Sequence, residues 1–364
     1  MDILAFYLPQ YHPTPHNNEW WGKGFTEWTN VAKAKPLFRG HYQPKIPADL
    51  GFYDLRMPEI REKQVELALE AGVTGFCYYH YWFGDGHQEL ELPFNEVVES
   101  GKPDFPFCLC WANETWARKF WNKDGAVVGA DILAEQKYLG KNDNEKHFYS
   151  LLKAFKDDRY YRIDGKPVFM IYRPLKFDKV DEFITQWNQL AKDNGLGGFF
   201  LIGYSLFVSE EREQIKNLGF DAVCSCRISR NVKHDFGWAV RKAYSMIFKT
   251  PRKTPYKKIY PTLVGVEDNW DDVFPTMLPN WDHTPRSGYN GDLYTDSTPE
   301  LFEKHCVQVL SIVHAKKNER QIAFLKSWNE WGEGNYMEPD LKYGKGYIKA
   351  LSNAINTVEQ KNSK

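Results

Sequence analysis

The run Ser327-Trp328-Asn329-Glu330-Trp331-Gly332-Glu333-Gly334, continuing Asn335-Tyr336-Met337-Glu338-Pro339, sets two carboxylates three residues apart among indoles, an amide and glycines. Carboxylates seldom bury unless they are paired or used. Two nearby acids beside stacking aromatics are the equipment for cleaving or transferring at a glycosidic bond. The oxygen that leaves a sugar must be protonated, so one carboxyl has to hold a proton near neutral pH. Its partner must stay ionised, to accept a proton or to stabilise positive charge at the anomeric carbon. Neighbouring carboxylates push their proton affinities apart, which supplies that difference. The competing role is structural, one acid capping a following helix or pairing with an arginine such as Arg286. The Trp and Gly neighbours of Glu330 and Glu333 make poor ion-pair surroundings and favour the catalytic role.

The elements that must position this pair are legible upstream. Residues 322–325 are a short apolar run that reads as a buried strand, so the acids follow its C-terminal end, where α/β enzymes place their chemistry. Seven further apolar runs, at 3–7, 73–79, 105–111, 168–172, 199–204, 220–224 and 259–266, recur with helical stretches between them. Residues 57–71 show the intervening pattern, with Pro58 at a helix start and Gly72 just past its end. Thr298-Pro299 opens another helix, with Phe302, Val309 and Val313 at roughly helical spacing. Continuous apolar strands alternating with helices imply a parallel sheet covered on both faces. Eight such units predict an α/β fold, a single (β/α)8 TIM barrel with loop insertions. A doubly wound open sheet competes, but no Gly-x-Gly-x-x-Gly follows the first strand. With no internal repeat, low-complexity tract or linker, residues 1–364 read as one catalytic domain.

A barrel makes residues just after strand ends candidates for substrate contact. These are Tyr7 and Tyr11 after the first strand, then Trp20, Trp21 and Trp28; Tyr79 and Trp82 after the second; Trp111, Asn113 and Glu114 after the third; Tyr204 after the fifth; Asp282 and Arg286 beyond the seventh; and Asn329, Trp331 and Tyr336 around the acids. The Trp20, Trp21 and Trp28 group suits either a sugar platform or a hydrophobic lid, since both need the same indoles. Asn113-Glu114 offers a rival pair: an Asn that binds a sugar 2-hydroxyl beside a Glu is a common strand-end arrangement in barrel glycosidases. Glu114 with Glu330 therefore stands against Glu330 with Glu333.

Composition bounds the ligand. The net charge of −1 points to no nucleic acid, whereas the aromatic share of 16%, with 13 Trp and 21 Tyr, suggests a ligand with weakly apolar faces and many hydroxyls. Sugars fit. The cysteine pairs Cys108/Cys110 and Cys224/Cys226 have the wrong spacing for structural zinc and read as buried reduced thiols; His12, His80 and His87 lack ligand spacing as well. Neither metal nor cofactor is expected. The chain starts directly in a strand without a signal peptide, and no apolar run reaches membrane-spanning length, so a cytoplasmic address is expected. Residues 227–258 depart from the rest, with ten Lys and Arg against the single acid Asp235, a charge of about +9. Within it, 238–248 could form a basic amphipathic helix. This is either a solvated outer helix or a site for an anionic or lipid-linked glycan at a membrane surface.

Residues 5–13 (Ala-Phe-Tyr-Leu-Pro-Gln-Tyr-His-Pro), 20–28 (Trp-Trp-Gly-Lys-Gly-Phe-Thr-Glu-Trp) and the final motif from Trp328 to Pro339 resemble WbsX-type proteins across essentially the whole chain. That group is associated with lipopolysaccharide and other surface-polysaccharide loci and is often labelled a glycosyltransferase. It is similar in turn to endo-α-mannosidases and endo-α-mannanases of glycoside hydrolase family ninety-nine. The resemblance implies a (β/α)8 barrel in which Glu330 deprotonates the sugar 2-hydroxyl, which attacks the anomeric carbon to give a 1,2-anhydrosugar. Glu333 would protonate the leaving oxygen and later activate water, so configuration is retained and no metal is needed. Gly332 stands where the hydrolases usually carry a larger polar residue. Three functions follow: a retaining hydrolase or transglycosylase on an α-linked glycan, a glycosyltransferase of polysaccharide assembly, or a noncatalytic glycan-binding barrel.

Overall fold

The computed structural model describes residues 1–121, 127–228, 247–316 and 320–362. Apolar on both faces, the strand runs can satisfy their backbone groups only by pairing with one another under helices. Eight strands do so: β1 (Asp2–Tyr7), β2 (Gly75–Gly84), β3 (Phe107–Trp111), β4 (Lys166–Ile171), β5 (Phe200–Ser205), β6 (Ala222–Ser225), β7 (Val273–Met277) and β8 (Ile322–Leu325). Each pairs in parallel with the next, and β8 returns to β1 with Asp2 opposite Ile322 and Ala5 opposite Leu325, which closes the barrel. The expected (β/α)8 architecture is present.

Helices α1 (Pro15–Trp21) and α2 (Glu27–Lys33) belong to the long β1–β2 connection, ahead of α3 (Pro58–Ala71). Proline opens α3 and Gly72, at φ 84, ends it in the left-handed region, as the sequence predicts. Next come α4 (Leu92–Ser100), α5 (Lys141–Phe155), α6 (Val180–Asp193), α7 (Val208–Asn217), α8 (Pro299–His314) and α9 (Gly346–Asn362). In α8 the Thr298 hydroxyl caps the first turn and Phe302, Val309 and Val313 are buried. Among the described residues no helix is long and apolar enough to cross a membrane.

The seventh strand is a correction. Residues 259–266 are not a strand: Tyr256–Ile259 is helical and Tyr260–Thr262 turns around Pro261. The barrel strand is Val273–Met277, fully buried. Its Pro275 disguises it, because proline removes a ladder donor and normally argues against a central strand. Here pairing to β8 begins only at Thr276, past the proline.

Strand alternation decides which side chains enter the barrel. On β1, Phe6 packs inward against Tyr79, Tyr204 and Phe324, whereas Tyr7 points out and donates to Gln64 Oε1 on α3. On β2, Tyr79 faces in while Trp82 faces out and lies flat on His147 of α5. All six cysteines are buried and free, and burial pushes the thiols of Cys77, Cys224 and Cys306 up.

Candidate active site

Beyond β8 the chain makes a tight ribbon. Asn329–Glu330 pairs antiparallel with Asn335–Tyr336 around the turn Trp331–Glu333, and Gly334 at φ 68 reverses the chain. The Glu330 N–H donates to Ser327 Oγ, fixing the start of the turn. Trp331 is fully buried, stacked on Tyr336 with ring centroids 3.7 Å apart, and its indole N–H donates to Glu338. Glu338 also accepts from Gln64 and Tyr53, and burial raises its pKa to about 7. The indoles around the acids are thus the ribbon's scaffold.

Both acids reach charged partners. Lys326, 3% exposed at the end of β8, donates to Glu330 Oε2 at 2.8 Å and to the Tyr79 hydroxyl at 2.8 Å. Burial disfavours the Lys326 charge, but Glu330 and Glu333 outweigh that and hold it protonated. Arg286 Nη1 donates to Glu333 Oε1 at 2.5 Å, and Arg286 Nε donates to Glu27 Oε1 at 2.8 Å. His283 Nε2 lies 3.9 Å from the same Glu333 oxygen. Glu27, on α2, is 2% exposed and occupies the space a side chain at 332 would need: a Cβ on Gly332 would fall 1.8 Å from Glu27 Oε1.

Three carboxylates (Glu27, Glu330, Glu333) therefore face two fixed cations (Lys326, Arg286). An excess buried negative charge is costly, so the cluster favours one shared proton. Burial first, and then the Glu333 charge, raises Glu330 against the pull of Lys326 and Arg286. Burial also opposes the ionised form of Glu333, but Arg286, Lys326 and His283 together hold its proton affinity below the ordinary carboxylate value. The proton affinities of the two acids are thus displaced in opposite directions, Glu330 upward and Glu333 downward.

The sequence candidates divide. Tyr79 and Tyr204 line the barrel mouth with Tyr172, which stacks on Tyr204 at 4.5 Å. Arg286 touches Glu333, as the structural alternative foresaw. Other candidates are spent on the framework. Tyr7, Trp82 and Trp111 lie on outward strand faces, and both indoles donate to protein oxygens, Asp143 Oδ2 and the Trp82 carbonyl. Tyr11 and Trp28 are buried, bonded to the carbonyls of Asn329 and Tyr53. Asn329 exchanges two hydrogen bonds with the Leu8 backbone at the end of β1, and Tyr336 donates to Asp340. Asn113 clips β3 to β4 through the backbone of Arg173, and Glu114, half-exposed, accepts from Arg173 Nε. Asp282 is held ionised, despite burial, by Lys45, His41 and Thr284 and sits in the wall of a cavity of about 500 Å³ on the far side of Gly334. Trp20 packs on His16 and Trp116, and Trp21, 43% exposed, lies under Arg118. Of the basic segment 227–258, residues 229–246 lie outside the described residues. Arg227 is buried against Glu267 and Asp268, and Arg252 pairs with Asp292, so neither is a free cation.

Sequence reasoning missed Lys326, although it directly follows β8. Tyr172, His283 and Glu27 fall in segments that follow strand ends by sequence but were not singled out as site residues. Glu27 carried no local signal: it meets the site through a contact 259 residues away.

Fold and strand-end geometry define a (β/α)8 barrel with two acids beyond its eighth strand. Two structures of a GH99 endo-alpha-mannosidase from Bacteroides thetaiotaomicron superpose on it, each with a TM-score of 0.57, at 16% and 14% identity, covering 99% and 98% of this chain and 98% and 97% of theirs. More specifically, the chain belongs to the family described as Glycosyltransferase WbsX, matched over residues 3–351. It is also 33% identical over 369 residues to the uncharacterized protein WxcX of Xanthomonas campestris, covering 97% of this chain. It spans about half of that relative, 49% of its length.

Proposed function

We propose that this chain cleaves or transfers at an α-linked glycosidic bond, with Glu330 and Glu333 as its proton-handling pair. The observation that carries the reading is the buried carboxylate pair beyond β8, whose members have opposite shifts in proton affinity within one charge cluster. Against the rival pair, Glu333 rather than Glu114 is the acid whose charge raises Glu330. In the route the resemblance implies, Glu330 takes the proton of the 2-hydroxyl, that oxygen bonds to the anomeric carbon, and the leaving oxygen departs with a proton from Glu333. Water or a sugar hydroxyl then attacks the anomeric carbon and opens the anhydrosugar, giving its proton to Glu333 while Glu330 returns its proton to the 2-oxygen. The cations around Glu333 favour its ionised form, so this route first needs a proton transferred to Glu333. A substrate hydroxyl that competes with Glu333 for Arg286 would drive that transfer.

Glu330→Gln and Glu333→Gln, assayed separately on α-glycosides with poor and activated leaving groups, test the reading. Loss in both, with rescue by the activated leaving group in Glu333→Gln alone, is the expected outcome. Wild-type rates in both variants would remove the mechanism. A glycosyltransferase reading is supported by the family's description. It predicts product formation only when an activated sugar donor and an acceptor are supplied together.

A further inference from the structure

A second group of chemically competent side chains lies outside the acid pair. His87 and Glu89 are alternate residues of the short strand His87–Glu89, which pairs antiparallel with the end of β2, so their side chains share one face. His16, from α1, meets the same Glu89 oxygen through Nδ1, and His87 Nε2 lies 2.8 Å from it. The three ligand atoms all fall within 4.8 Å of one another. Glu89 is 4% exposed, and the two imidazoles are its hydrogen-bond partners among the described residues. The strand face and α1 thus bring two imidazole nitrogens and a buried carboxylate oxygen to one point. Neighbouring rings hold both histidines: His16 stacks on Trp20 with an interplanar angle of 21°, and His87 packs on Phe83 at 5.2 Å.

We propose that His16, His87 and Glu89 bind a divalent transition metal, Zn²⁺ by the chemistry of the set. Two imidazole nitrogens and one carboxylate oxygen are a donor set zinc takes readily, with a fourth position left to water. The ion would fasten α1, which bears Trp20 and Trp21, to the extension of β2. It serves order in that aromatic segment, not the proton chemistry, and it stands independently of the proposed reaction.

The test uses the full chain, free of any histidine tag and dialysed against EDTA. Added Zn²⁺ should bind one ion per chain by titration calorimetry. At a hundredfold excess over the dissociation constant it should raise the melting midpoint by about 3–4 °C. Co²⁺ in its place should give the visible absorption of a four- or five-coordinate ion. His87→Ala and Glu89→Gln, each checked for native circular dichroism, should lose the melting response and weaken binding at least tenfold. The proposal is overturned if the wild type melts alike with Zn²⁺ and EDTA. It is equally overturned if His87→Ala keeps the full response, because the ion would then sit on other histidines.

Discussion

Replacing Glu27 with Gln keeps the shape and the acceptor for Arg286 Nε while removing one charge from the cluster. Two effects follow from the geometry. Breaking a buried ion pair usually costs 3–5 kcal/mol, but Arg286 keeps Glu333 at 2.5 Å and is one-quarter exposed, so about 2 kcal/mol is expected. In a chain of this size that lowers the melting midpoint by about 3 °C. The second effect is electrostatic. Glu27 and Glu333 both accept from the Arg286 guanidinium, so removing the Glu27 charge leaves that cation to act on Glu333 alone. Without Glu27, Arg286 holds Glu333 ionised more firmly. If Glu333 delivers the proton to the leaving oxygen, turnover at pH 7 falls on the order of tenfold to a hundredfold and recovers toward acid pH. The assays are thermal unfolding and a pH–rate profile on an α-glycoside. A Glu27→Gln variant with the wild-type melting midpoint and an unmoved profile would falsify the coupling through Arg286.

Lys326→Met strips Glu330 of its cation, raises its proton affinity further and should cost at least about a hundredfold in rate at neutral pH, with partial recovery at alkaline pH; a rate loss that is flat across pH would contradict this role. Glu338, whose pKa is about 7 in the fold against an ordinary 4.5, is a raised group, so its contribution is fully present below pH 4.5 and fades as pH rises through 7. The shift of about 2.5 units corresponds to about 3 kcal/mol, and the stability difference between wild type and Glu338→Gln should change by that order between pH 5 and pH 8 in urea titrations. Comparing with the variant cancels the opposing slope of the buried histidines, whose affinities are lowered. Asn113→Ala should lose about 1–3 kcal/mol of stability, because the amide ties β3 to β4, while leaving KM unchanged. A raised KM at unchanged stability would return Asn113 to the role of a sugar ligand.

Most of the barrel was legible because its strands are continuous apolar runs and its helices carry ordinary start and stop residues. The seventh strand was not, since Pro275 breaks the expected pattern and only its late pairing to β8 makes it tolerable. The acids were legible as a motif, but their surroundings were not. An aromatic or an amide near a strand end reads alike whether it faces a sugar or plugs the framework. Asn329 is committed to Leu8, 321 residues away, and Tyr7 to Gln64, 57 residues away. Period-two alternation would have separated inward Tyr79 from outward Tyr7 and Trp111 once strand starts were fixed, and those starts are what sequence places least securely. Buried cations were harder still, because lysine and arginine are expected at the surface.

Gly332 acquires a physical reason from this arrangement. By its sequence alone it is an exception beside two acids. In three dimensions its missing side chain is the space in which Glu27 places a carboxylate against Arg286. Three carboxylates then face two fixed cations, Lys326 and Arg286, and Glu27 competes with Glu333 for the same guanidinium. If the pair handles protons as proposed, the helix that carries Glu27 belongs to its electrostatic surroundings, because the Arg286 charge that favours ionised Glu333 is shared with Glu27.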